Sequence, residues 1–180
     1  MVYVFLADGF EVIEAMAPVD ILRRAGADVV TVGVTGKTVT SSHKVPVVAD
    51  ITKEEIVLDD ELEMVVLPGG MPGANNLEAD ETVQKAIDFC AENDRFVAAI
   101  CAAPKILGHK GLLSGRRATC FPGFEQELEG AEITGELAVR DGRFITGKGA
   151  GAALDFGFAL AAALFDDDKS ARIASNMQCR

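Results

Sequence analysis

The stretch VAAICAAP, residues 97–104, carries a cysteine to the end of an apolar run and follows it with two alanines and a proline. Ala99 and Ala103 flank Cys101 at minus two and plus two. That small-x-nucleophile-x-small spacing has the logic of a nucleophile elbow. A tight, strained strand-to-helix turn tolerates only small neighbours and presents its middle side chain at the sheet edge. A helix N-terminus behind the sulfur would stabilise a thiolate and lower its pKa below the free value of about 8.5. Pro104 suits the first helical turn, where its missing N–H costs nothing. A small buried core cysteine has the same local composition, so spacing alone leaves both readings open.

Three other places could join the cysteine. Gly69 and Gly70 follow an apolar run and would leave backbone N–H groups free to stabilise an oxyanion, although "PGG" is also a simple turn. Glu14 falls early in a helical stretch that follows the first apolar run. Buried there, it would stay protonated and donate a hydrogen bond to the sulfur; exposed, it would only compensate the helix dipole. His109 lies eight residues along the helix predicted after Cys101, roughly 12 Å from the turn, too far to pair with it. His43 falls in a predicted hairpin, where it could project toward a site or stand in solvent. No Cys-His pair is therefore readable. The string Gly147-Lys148-Gly149-Ala150-Gly151 lacks the Gly-Lys-Ser/Thr ending of a phosphate loop and comes late in the chain. It reads as a flexible entry to a helix, with Gly149 placed to line the site. Cys90 is expected on a packed helix, Cys120 near the rim of the site and Cys179 at a frayed end.

Apolar blocks alternating with helical spacing must position these groups. Strands are predicted at 1–7, 28–34, 62–67 and 96–100, with helices at 11–25, 80–93 and from Cys101 to about Lys110. A small hairpin is expected over 37–49, short strands at 117–120, 136–140 and 143–146, and helices at 150–165 and 168–175. Continuous apolar strands alternating with helices indicate a parallel sheet covered on both faces. The expected architecture is a flavodoxin-like three-layer α/β/α sandwich, mainly parallel, formed by residues 1–180 as one domain. Ligands in such sheets sit at the carboxyl ends of the strands. Asp8–Glu14, Pro68–Gly70 and Cys101 all fall there.

Composition narrows the partners. Lys and Arg number 17 against 28 Asp and Glu, a net charge of −11, which argues against nucleic acid or an anionic membrane. The runs LDDELE (58–63) and DDD (166–168) read as solvated surface. The four cysteines form no CxxC pair, so no metal site is suggested, and reduced thiols in a cytoplasmic protein are the default. No signal peptide is visible, and the apolar stretch 156–165 is too short to span a bilayer.

The segments LADGFEVIEAMAPVDILRRAG (6–26), VVLPGGMPGANNL (65–77), VAAICAAPKIL (97–107), ATCFPGFEQEL (118–128) and ITGKGAGAALDFGFAL (145–160) together resemble the ThiJ/PfpI superfamily. The likeness is to the branch of the Parkinson-disease-associated redox protein and its bacterial relatives. The resemblance implies a homodimer without a cofactor. It implies Cys101 as nucleophile, Glu14 as the protonated partner of its sulfur, and Gly69, Gly70 and Ala102 as backbone donors. It also implies that Arg24 lines the pocket near the dimer interface. Ala102 stands where the peptidase branch has a histidine, so protease activity is not expected. Phe121 stands at the pocket where human-like members have a histidine, which removes one helper base. His43 falls roughly where that branch has an arginine.

Two functions follow from the resemblance. One is glyoxalase- or deglycase-like action on methylglyoxal-type dicarbonyls through a Cys101 thiolate assisted by Glu14. The other is a non-enzymatic oxidative-stress sensor or redox-regulated chaperone in which Cys101 becomes a sulfinic acid. A glutamine-amidotransferase-like hydrolase would need a late histidine, and none follows His109.

Overall fold

A computed structural model describes residues 1–179. Strand β1 (Val2–Leu6) is buried along its whole length. Its side chains alternate between two apolar layers. Tyr3 and Phe5 face one, and Val2, Val4 and Leu6 face the other. A strand covered on both faces has no polar side, so it reads as an unbroken apolar block. Helix α1 (Val12–Arg24) follows, and Arg23 and Arg24 occupy its last turn. Strand β2 (Val29–Gly33) then precedes a hairpin of β3 (Thr38–Thr40) and β4 (Pro46–Val48), and a short strand β5 (Ile51–Thr52).

Strand β6 (Met64–Leu67) leads through a turn to α2 (Gly73–Ala79) and α3 (Glu81–Glu92). The Asp80 side chain accepts from the N–H groups of Thr82 and Val83, which starts α3. Strand β7 (Phe96–Ile100) is followed by the short helix α4 (Pro104–His109). After β8 (Arg117–Ala118), β9 (Glu132–Ile133), β10 (Ala138–Asp141) and β11 (Phe144–Gly147), the chain ends in α5 (Ala153–Leu164) and α6 (Asp167–Asn176).

The seven-stranded sheet runs β10-β11-β7-β6-β1-β2-β5. Every pairing is parallel except β10 with β11. Val4 pairs with Val66, Leu67 with Ala99, and Gly147 with Ile100, so β1, β6, β7 and β11 end along one edge. Helices α2, α3 and α4 cover the face that carries Phe5 and Leu67. Helices α1, α5 and α6 cover the other, around Ile21, Phe156 and Leu160. The three-layer α/β/α sandwich, mainly parallel and with a small antiparallel hairpin, is thus as expected. Among the described residues no helix is long and apolar enough to cross a membrane.

The differences lie at short elements. The helix predicted from Cys101 begins only at Pro104, because residues 101–103 form a tight turn. Strand 117–120 shortens to Arg117–Ala118 and pairs with β9, which carries too few residues to show a period. Helix α2 was not predicted. It follows Pro68-Gly69-Gly70 and opens Gly-Ala-Asn-Asn, a composition of turns.

Phe156 is fully buried, and its ring lies under Gly147. Phe156→Ala is expected to cost about 3–5 kcal/mol. A urea titration should show this as a lower midpoint with an unchanged slope.

Candidate active site

Cys101 sits at the end of β7 with φ +67°, a left-handed conformation that is uncommon for a residue with a side chain. Such geometry costs on the order of 1–3 kcal/mol and persists only where surrounding contacts enforce it. Two backbone bonds do so. Cys101 N–H donates to Gly147 O at 2.9 Å, and Phe121 N–H donates to Cys101 O at 2.9 Å. Ala99, Ala102 and Ala103 are all buried around the turn, which is why the neighbours are small. The elbow geometry expected from the spacing is present.

Glu14 lies beneath the sulfur, with 1% of its surface exposed. Gly69 N–H donates to its Oε2 at 2.9 Å. Glu11 N–H donates back to Gly69 O at 2.9 Å. Glu11 also caps α1, its Oε2 accepting from Glu14 N–H at 2.9 Å. A Cβ on Gly69 would stand 2.6 Å from Glu14 Oε2 and 2.7 Å from Cys101 Cβ, so only glycine allows the carboxyl and the cysteine to close on each other. Glu14 Oε1 is buried without a hydrogen-bond partner. These contacts correct one expectation. The Gly69 N–H is not a free donor for an oxyanion, because it is bonded to Glu14.

Burial pushes the Glu14 carboxyl up to about 7; the bond to Cys101 opposes this, the charge of Glu11 adds to it and the Gly69 N–H opposes it. Burial also pushes the Cys101 thiol up to about 12, helped by the charge of Glu14 and its bond, against the N–H groups of Gly70 and Ala102. The expected lowering by a helix N-terminus is therefore reversed. Helix α4 starts three residues later and has six residues, so little dipole reaches the sulfur. The nearest charged neighbour is a carboxyl group, not a cation. Thiol and carboxyl together hold one negative charge readily, and the first charge opposes the second. The backbone N–H groups of Gly70 and Ala102 face the sulfur.

A cavity of about 410 Å³ opens over Cys101, lined by Gly70, Ala102, His43 and Phe121 among others. Glu11, Ser42, Met71 and Phe124 also line it, and sequence reasoning missed all four. Glu11 carried a signal only in hindsight, since glutamate is not a favoured N-cap. Gly149 lines a second cavity, of about 390 Å³, which Phe121 shares. Arg24 is not brought to either. It lies ten residues beyond Glu14 on α1, roughly 15 Å along the axis, and its Nε bonds Asp20 Oδ2 at 2.8 Å. His109 is elsewhere too, between Glu78 (2.5 Å) and Glu127 (2.7 Å). Cys90 and Cys120 are buried, and Cys179 is half-buried. Among the described residues no group of three or more His, Cys, Asp or Glu is placed to hold a metal ion.

The model of the family described as "DJ-1/PfpI family" matches residues 1–163. Protein DJ-1 homolog A of Arabidopsis thaliana is 36% identical over 97% of this chain and 45% of its own length. The chain thus spans less than half of that relative. A Pyrococcus abyssi protein named a deglycase is 31% identical over 82% of this chain and 89% of its own. Among solved structures, Drosophila melanogaster DJ-1beta superposes with a TM-score of 0.93 at 31% identity, covering 99% of this chain and 97% of that one. Toxoplasma gondii DJ-1, described as oxidized, also gives 0.93, at 29% identity over 99% and 97%. With its fold superposed over 99% of its length on Drosophila melanogaster DJ-1beta and the family model matched over residues 1–163, the chain belongs to the DJ-1/PfpI family.

Proposed function

We propose that this protein converts methylglyoxal-type dicarbonyls to hydroxy acids with Cys101 as nucleophile and Glu14 as proton carrier. The observation that carries this is the buried Glu14 carboxyl, fixed through Oε2 by Gly69 and hydrogen-bonded to the Cys101 side chain. The name of the Pyrococcus abyssi relative supports the same substrate class.

Passage of the thiol proton to the Glu14 carboxylate gives the reacting state, with the negative charge on Sγ and the proton on Glu14. Sulfur adds to the aldehyde carbon, and Glu14 gives its proton to the new alkoxide, forming a hemithioacetal. The Glu14 carboxylate then takes the hydrogen from that carbon to give an enediolate, the hydroxyl proton on that carbon passes to the neighbouring oxygen, and Glu14 returns its proton to the neighbouring carbon. The product is a lactoyl thioester on Cys101, and water releases lactate. General acid–base work of this kind contributes about 10²–10⁴-fold. The N–H groups of Gly70 and Ala102 stabilise the charge on sulfur each time it forms. The family likeness favours a homodimer.

The unpaired Oε1 also supports a second reading. A protonated Glu14 can donate to an oxygen of an oxidised Cys101, and the Toxoplasma gondii relative was solved in an oxidised form. Peroxide sensing needs no turnover.

Lactate formed from methylglyoxal, without glutathione and in an amine-free buffer, separates the two. Saturable turnover is expected, lost in Cys101→Ala and reduced at least about 10²-fold in Glu14→Gln. If Cys101→Ala matches the wild type, the dicarbonyl activity is ruled out. In that case sulfinic acid at Cys101 under mild peroxide, read by mass spectrometry, supports sensing.

Glu14 also ties stability to pH. Its folded pKa, about 7, lies above the ordinary 4.5. The native state therefore holds the extra proton, and the stability this contributes is complete below pH 4.5 and lost as pH rises through 7. The loss is roughly 3 kcal/mol. Denaturant midpoints should show wild type falling over that window while Glu14→Gln stays level.

A further inference from the structure

The Cys101 cavity holds a side chain that the chemistry above does not use. His43 stands at the tip of the β3–β4 turn and lines the same cavity as Cys101. Its turn is pinned from within. Ser41 N–H donates to Val45 O at 2.9 Å, and Val45 N–H donates to Ser41 Oγ at 3.0 Å. Ser41 is 2% exposed, so these bonds are shielded from water. The hairpin is also tied to the loop that carries Glu11. Gly9 N–H donates to Thr40 O, Ser42 N–H to Phe10 O, and Thr40 N–H to Asp8 Oδ1, each at 2.8 Å. Finally, His43 Nδ1 and Ser42 Oγ are hydrogen-bonded at 3.1 Å. A histidine on a mobile solvated loop would need none of this.

Releasing the acyl group requires a base that water can reach. Glu14 is beneath the cysteine and closed to solvent. Glu11, the other carboxylate lining the cavity, already accepts from Glu14 N–H. The His43 imidazole lines the same cavity, and its ring carries a nitrogen lone pair able to accept a proton from water.

We propose that His43 is the base that activates water for release of the acyl group from Cys101, with Ser42 positioning its imidazole. This rests on the dicarbonyl activity proposed above. Nδ1–H donates to Ser42 Oγ, which leaves the Nε2 lone pair free for water. Water's oxygen bonds the thioester carbon as one of its protons passes to Nε2. The carbon–sulfur bond breaks, and its electron pair leaves on Sγ. The proton on Nε2 then restores the one proton of the Cys101–Glu14 pair, and lactic acid loses its own proton to solvent.

The test is rapid-quench kinetics with methylglyoxal, read alongside intact-protein mass spectra, on wild type, His43→Gln and Ser42→Ala. His43 is exposed, so the substitution leaves the core untouched. In His43→Gln the steady-state lactate rate should fall about 10²-fold, while the first turnover of methylglyoxal stays within about twofold. A lactoyl adduct on Cys101 should accumulate, and kcat and KM should fall together, leaving kcat/KM near its wild-type value. Ser42→Ala should show the same pattern, more weakly. A wild-type kcat in His43→Gln, or a slowed first turnover with no adduct, overturns the role of His43 alone. A wild type that makes no Cys101-dependent lactate overturns it together with the dicarbonyl activity, and shows this before any His43 variant is compared.

Discussion

The Gly69 N–H donates to Glu14 Oε2 across 2.9 Å, and that bond ties the turn after β6 to the first turn of α1. The turn after β7 closes on the same point, because Cys101 Cβ would lie 2.7 Å from any Cβ on Gly69. Three strand ends thus meet where only a hydrogen atom fits. Parallel pairing in register brings the ends together, and the absent side chain lets them touch. Much of the site's chemistry depends on this closeness. It excludes water from Glu14, which raises the pKa of the carboxyl. It also places one ionisable group against another, so that each charge opposes the next.

The large features were legible in the sequence because they repeat over many residues. Strands β1, β6 and β7 bury both faces, so MVYVFLA, LEMVVL and FVAAI read as apolar blocks, and their alternation with helical spacing implies parallel order. Cys101 was legible through its neighbours, since alanines at minus two and plus two record how little room the turn has. Segments of two or three residues, such as β5 and β9, carry no period to detect. Helix α2 hides behind turn-forming residues, and its stability comes from Ala74 and Leu77 in the core rather than from its own composition.

The electrostatics were not legible, because they depend on what tertiary packing places beneath the sulfur. A cysteine before a helix suggests a lowered pKa, and one buried carboxyl beside it reverses the direction. The Gly69 N–H likewise had two possible targets, and the direction of one backbone bond decided between them. Arg24 marks a different limit. Nothing within this chain draws it to the pocket, and its carboxylate partner is four residues away on its own helix. His43 was legible as a hairpin residue that could project toward a site, but not as one fixed there. Its place comes from the bonds that tie the hairpin to the β1–α1 loop.

A pair that holds one proton and one negative charge has a single degree of freedom, the side on which the proton rests. Carbonyl chemistry needs that proton to move, since Glu14 must give it to oxygen, accept another from carbon and return it. Oxidation of sulfur needs the proton to stay. A sulfinate carries a permanent negative charge at neutral pH, and with the carboxyl closed to water a second charge beside it is strongly opposed. The proton is then held on Glu14, where Oε1 has a partner it otherwise lacks. Turnover and stable oxidation are in this sense alternative uses of the same proton. On the proposed reading, one chemistry excludes the other on any single copy of the site.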